Sequence, residues 1–121
     1  NSSAAKLSGV NTSLIEMMVY MFSGVFSALG GVLLLARLSY AAPTAGSGYE
    51  LDAIAAVVLG GTALSGGEGN LVNTFIGALI LGTLKAGLTI LNVPVFYQQI
   101  VIGVAIVAAV FLDKQKERKA E

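Results

Sequence analysis

The clearest apolar segment of the chain is "MMVYMFSGVFSALGGVLLLA", residues 17–36, which carries no charge and is bounded by Glu16 and Arg37. As a helix it rises about 30 Å, the thickness of a bilayer's hydrocarbon core, so it predicts a membrane span. Polar and helix-breaking residues then gather in "SYAAPTAGSGYELD", residues 39–52, where Pro43, Gly46 and Gly48 punctuate and Glu50 and Asp52 collect. That composition predicts an aqueous loop. Ala53 to Leu64 is uncharged but short for a crossing and ends among glycines, which fits a shortened or broken helix. The run "LVNTFIGALILGTL", residues 71–84, continues past Lys85 through "AGLTILNV" and predicts another span, with Lys85 snorkelling toward an interface. Pro94 breaks the backbone, "VFYQQIVIGVAIVAAVFL" (95–112) is a last span, and "DKQKERKAE" closes the chain.

Composition agrees with lipid as part of the solvent. Of 121 residues 55% are hydrophobic and 12% charged, with a mean hydropathy of +0.82. A chain this short cannot hide that much apolar surface in one water-soluble core. Seven basic and seven acidic residues balance, so no overall field points to nucleic acid. The absence of Cys and His removes disulfides, thiolate or imidazole metal sites and histidine-based catalytic triads; no catalytic residue, metal site or cofactor is expected. A chain that begins with Asn1, without a charged leader and cleavage site, reads as an excised piece. Lys114, Lys116, Arg118 and Lys119 follow the last span closely, which predicts a cytoplasmic tail. If the short segment 53–64 crosses, four crossings return the N-terminal segment to the cytoplasm, where Lys6 is compatible; if it only re-enters, the two ends lie on opposite sides, and four crossings are favoured. The fold class is therefore all-α integral membrane, with about four transmembrane segments including a short or broken helix. Residues 1–16 precede the spans, 17–112 form the transmembrane region and 113–121 the basic tail.

The stretch "VVLGGTALSGGEGN", residues 57–70, asks whether its glycines cradle phosphate or shape a membrane-protein connection. A P-loop requires lysine and then Ser/Thr after its second framing glycine, where this chain has Gly67 and Glu68; a carboxylate there repels phosphate. Gly60, Gly61, Gly66, Gly67 and Gly69 instead free backbone polar groups that lipid cannot satisfy. Both a hinge or pathway loop and a tight structural connection fit. Glu50 and Asp52 suit a helix N-terminus through its dipole, which suffices to account for them; the sharper reading has them line an outer mouth that offers acceptors to a polyhydroxylated solute or a delivering protein. Small residues four apart, Ala78, Gly82 and Ala86, and Gly24 with Ala28, predict close helix packing. No acidic pair lies within the spans, which leaves little for a proton- or sodium-coupled carrier.

The polar opening "NSSAAKLSGVNTSLIE" can form a short helix with Ala4, Ala5, Leu7 and Val10 on its apolar side. The string "AAKLSGVN", a span, then "PTAGSGYELDAIAAVVLGGTALSGGEGN" and "GALILG", in that order over almost the whole chain, resembles the C-terminal part of bacterial ABC-importer permeases for ribose and related monosaccharides. The resemblance implies that a short cytoplasmic coupling helix docks on a separate ATPase subunit through Ala4, Ala5, Lys6, Leu7, Ser8 and Gly9. Ser3 stands where that family usually has glutamate. It also implies an extracytoplasmic sugar-binding protein, a second permease copy and lipid as partners, and a multi-pass place in the inner membrane. Members of that family are far longer than this chain. A branched-chain amino acid ABC permease, or a small oligomeric channel or scaffold, is the alternative reading; "YELDAIAAVVLGG" favours the sugar group.

Overall fold

A computed structural model describes the backbone of residues 1–64 and 66–120, and side chains as far as Leu112 and at 114 and 115. The described residues form five helices, α1 (Ser2–Leu7), α2 (Thr12–Leu38), α3 (Tyr49–Leu59), α4 (Leu71–Ile90) and α5 (Val95–Ala120), and no strand. They fall into two compact units, Asn1–Ser47 and Gly48–Glu121.

In the first unit, asparagine starts both helices and glycine separates them. The side chain of Asn1 accepts from the Ser3 N–H at 3.1 Å and that of Asn11 from the Leu14 N–H at 3.2 Å, satisfying donors that a helix start otherwise leaves open. The chain turns between them at Gly9, whose φ of +84° is a left-handed conformation that side chains disfavour. The motif "AAKLSGVN" is thus a helix, its stop and the next cap. Val10 falls after α1 and is not on its face. Because Asn11 caps α2 at Thr12, the helix begins before Met17 and takes in Glu16, earlier than the charge boundary predicts. It ends at Ser39, in the left-handed region at φ 58°, with its N–H on the Leu35 carbonyl. None of the apolar window of α2 is covered within the chain, leaving Phe22, Phe26, Val32 and Leu33 well exposed. Such a surface requires lipid or protein around it.

In the second unit α3 runs antiparallel to α4. Ala56 of α3 lies against Gly77 and Gly60 against Thr74, so later residues of α3 meet earlier ones of α4. Ala55, Ala56, Leu81 and Ile102 form a small core with Ile106 packed against it. The face of α4 that packs carries Gly77 and Leu81, whereas Ala78, Gly82 and Ala86 are exposed. The predicted small-residue stripe therefore has the right period but sits one residue off the helix face that packs in this unit. Pro94 opens α5, and Gln98, buried on its first turns, donates Nε2 to the Val93 carbonyl at 2.9 Å and fixes the connection from α4. Among the described residues three helices are long and apolar enough to cross a membrane, Thr12–Leu38, Leu71–Ile90 and Val95–Leu112. The fourth predicted segment is α3, about 16 Å long for its 11 residues, which is shorter than the α4 helix it lies along.

Candidate functional site

The glycine loop owes its shape to two separate demands. A Cβ on Gly60 would lie 2.6–2.7 Å from the backbone of Asn73 and Thr74, and one on Gly69 2.8 Å from the Thr62 methyl, so both positions serve close approach. Gly61, Gly66 and Gly67 have φ of +75°, +82° and +88° with open space around them, so there the demand is conformational. Hydrogen bonds close the turn: Ala63 N–H to the Glu68 carbonyl at 3.1 Å, Gly66 N–H to the Ala63 carbonyl at 3.0 Å, and Thr62 with Thr74 through their hydroxyls at 3.2 Å. The Asn70 side chain then accepts from the Val72 N–H at 2.9 Å and starts α4. Ser65, inside the P-loop frame weighed above, lies outside the described residues. Beside the loop an open cleft of about 350 Å³ is lined by Gly60, Gly61, Asn73, Gly77, Ile80 and Leu112, among others. The Leu112 end of α5 and the glycine loop are thus at one end of this unit.

Toward the far end of α3 lies a polar cluster. Gly48, at φ +88°, begins the helix, so Glu50 and Asp52 occupy its first turn and not the end of an aqueous loop. The loop expectation fails over residues 49–52 because a left-handed glycine followed by acidic residues suits a helix start as well as a turn. In the antiparallel register Asp52 comes level with Leu81, one turn short of Lys85. Side chains tilt toward the N-terminus of their own helix, which in antiparallel neighbours brings these two toward each other. They form an ion pair, Lys85 Nζ with Asp52 Oδ2, and the same nitrogen lies 6.0 Å from the centroid of the Tyr49 ring. Lys85 thus has a carboxylate on the next helix within reach, a partner that the snorkelling expectation did not include. Behind it, Thr89 Oγ1 donates to the Lys85 carbonyl at 2.8 Å, and Gln98 Nε2 stands 3.5 Å from that hydroxyl.

The sequence reading singled out Asp52 but not Lys85, with which it pairs, nor Tyr49 beside that lysine. A usable signal was present: one lysine in an apolar helix and a carboxylate on the adjoining short helix are each costly alone in a membrane and are expected to pair. Glu50 is exposed and joins no recorded contact. In the first unit Ala4 to Gly9 form the end of α1 and its stop; Leu7 is 90% exposed, which leaves an apolar side chain uncovered there. No group of His, Cys, Asp or Glu that could hold a metal occurs among the described residues.

Helices with apolar exteriors, a helical hairpin closed by glycines and a paired charge within it define an all-α membrane protein. The chain belongs to the permease family described as branched-chain amino acid transport system / permease component, whose model matches residues 1–110. It is 55% identical over 117 residues to the ribose import permease protein RbsC of Escherichia coli (strain K12), covering 97% of this chain and 36% of that protein. With RbsC of Bacillus subtilis (strain 168) the identity is 54% over 96% of this chain and 36% of the relative. With the xylose transport system permease protein XylH of Haemophilus influenzae it is 44% over 98% of this chain and 32% of the relative. The chain thus spans about a third of the length of the curated relatives it matches. No solved structure matches it.

Proposed function

We propose that the chain is part of the membrane-spanning permease of an ATP-driven importer for ribose or a related monosaccharide, in the bacterial inner membrane. The observation that carries this reading is the identity above one half to ribose import permeases along nearly the whole chain. The permease performs no covalent chemistry. ATP is hydrolysed on a separate subunit, an extracytoplasmic sugar-binding protein delivers the solute, and two permease copies enclose the pathway. Ala4 to Gly9 serve as the docking segment for the ATPase, with exposed Leu7 as its apolar contact. With the basic tail cytoplasmic, the glycine loop at the Leu112 end of its unit faces the cytoplasm and the start of α3 faces outward. That orientation agrees with Glu50 and Asp52 on the outer side of the pathway. The glycine loop acts as a tight connection more than a hinge, since its glycines meet fixed steric and conformational demands.

The test is uptake by the full-length permease reconstituted with its ATPase and binding protein, comparing ribose, xylose and leucine. Uptake of a pentose supports the reading. The family's description keeps branched-chain amino acid transport as the second reading, and leucine uptake without pentose uptake would replace the first by it.

A further inference from the structure

The Asp52–Lys85 pair sits at a depth where lipid is a poor neighbour. Lys85 is fourteen residues beyond Leu71, about 21 Å along a helix of about 30 Å, with apolar residues before and after it. Asp52 is eight residues before Gly60, about 12 Å along α3 from the glycine loop. Their side chains nonetheless keep 35% (Lys85) and 26% (Asp52) of their surface exposed on the flank of the hairpin. The pair also has unused capacity. Among the described residues Lys85 Nζ, which carries three donors, meets one side-chain acceptor, Asp52 Oδ2, and Asp52 Oδ1 meets no donor. Lipid offers nothing to such groups, so water, solute or polar groups from the rest of the permease cover this flank. Tyr49 stands half exposed beside them, its ring within reach of the same nitrogen.

We propose that Tyr49, Asp52 and Lys85 form a polyol-recognition station on a wet flank of the α3–α4 hairpin, within the solute pathway; this rests on the importer reading above. The chemistry suits a neutral, polyhydroxylated ring. Asp52 accepts from one hydroxyl, Lys85 donates to its neighbour, and Tyr49 offers an aromatic face to the C–H side of the ring. Between turnovers the two charges satisfy each other, so the empty station leaves no unpaired ion at membrane depth. When a diol arrives, it shares the bonding capacity that the pair leaves open. A net-neutral station of this kind holds its solute weakly enough to release it, as a pathway requires.

The experiment uses the full-length permease containing this segment, made cysteine-free elsewhere and assembled with its ATPase and binding protein. Tyr49→Cys is treated with a charged, impermeant methanethiosulfonate reagent, with and without saturating ribose. We expect labelling from water and slower labelling in ribose. No labelling means a dry flank, and labelling indifferent to ribose means a wet flank that the solute does not touch; either overturns the inference. The second arm exchanges the charges, Asp52→Lys with Lys85→Asp. Membrane abundance should recover relative to Asp52→Lys alone, while ribose uptake below saturation stays down by on the order of tenfold, the worth of a hydrogen bond to a charged group. Parental uptake by the exchanged pair makes it a structural bridge only and overturns the inference. Where the exchanged protein does not insert, the labelling decides. Failure of the parent to take up any monosaccharide strikes the importer reading, whereas loss of protection in a parent that transports ribose strikes the station alone.

Discussion

Replacing Gly77 by alanine puts a Cβ against the Ala56 carbonyl oxygen and 2.8 Å from the Gly60 nitrogen, with the Gly60 Cα at 3.3 Å. All three neighbours are backbone atoms of the facing helix, so no side chain can swing away and α3 itself has to move off α4. Overpacking of this kind costs about 1–3 kcal/mol. The same substitution brings a helix-propensity gain of about 1 kcal/mol, which offsets part of it. Gly82→Ala separates the two effects: it lies on the same helix, gains the same propensity, and meets nothing within 4 Å in this chain. The two variants should therefore differ by about 1–3 kcal/mol in favour of Gly82→Ala. The assay is thermal loss of the folded, detergent-solubilised permease, followed by size-exclusion fluorescence, with both variants beside the parent. A Gly77→Ala protein that melts with or above Gly82→Ala would refute the close approach of the two helices.

Gly66→Val should impair assembly or transport through its backbone alone, since φ is +82° and no neighbour lies within 4 Å; Gly66→Asn should be far milder because asparagine tolerates that region. Equal uptake by the two variants would remove the strain argument, and the nucleotide affinity of the isolated ATPase should change in neither case. Gln115→Cys should be labelled by an impermeant thiol reagent only after permeabilisation if the tail is cytoplasmic. Labelling in intact cells at the permeabilised level would reverse the orientation. Ala5→Trp should leave membrane abundance near parental, since α1 lies outside the apolar spans, while copurification of the ATPase falls. Parental copurification would withdraw the docking role of Ala4 to Gly9.

The spans were legible because lipid imposes one requirement on every exposed position: twenty or so residues without charge have few alternatives to a membrane helix. Helix ends were less legible, and for a specific reason. Asn11, Gly48 and Asn70 each stop one structure and cap the next, so the same residue reads as loop or as helix start. The acidic residues at 50 and 52 were taken with the loop because charge suggests water, although a helix N-terminus welcomes them equally. Packing faces were the hardest. Ala78, Gly82 and Ala86 repeat every four residues, and so do Gly77, Leu81 and Lys85; only the position of α3 selects the second set.

The polar cluster shows why the candidate site was half legible. Asp52 was singled out as a charge suited to the start of the short helix, but Lys85 stood alone in its run, and a lone lysine has two inexpensive fates in a membrane. It can snorkel to the headgroups or find an anion at its own depth. Choosing between them requires knowing that α3 folds back along α4, and that depends on Gly60 and Gly77 letting two backbones touch, each about eight residues along its own segment from the charge it helps to align. The glycines and the ion pair are therefore one piece of reasoning. Remove the close approach and Asp52 no longer reaches Lys85, which leaves two charges without their partners on an otherwise apolar hairpin. The importer reading assigns that neighbourhood to a solute that carries hydroxyls and no charge, which a net-neutral ion pair can meet without either charge losing its counter-ion.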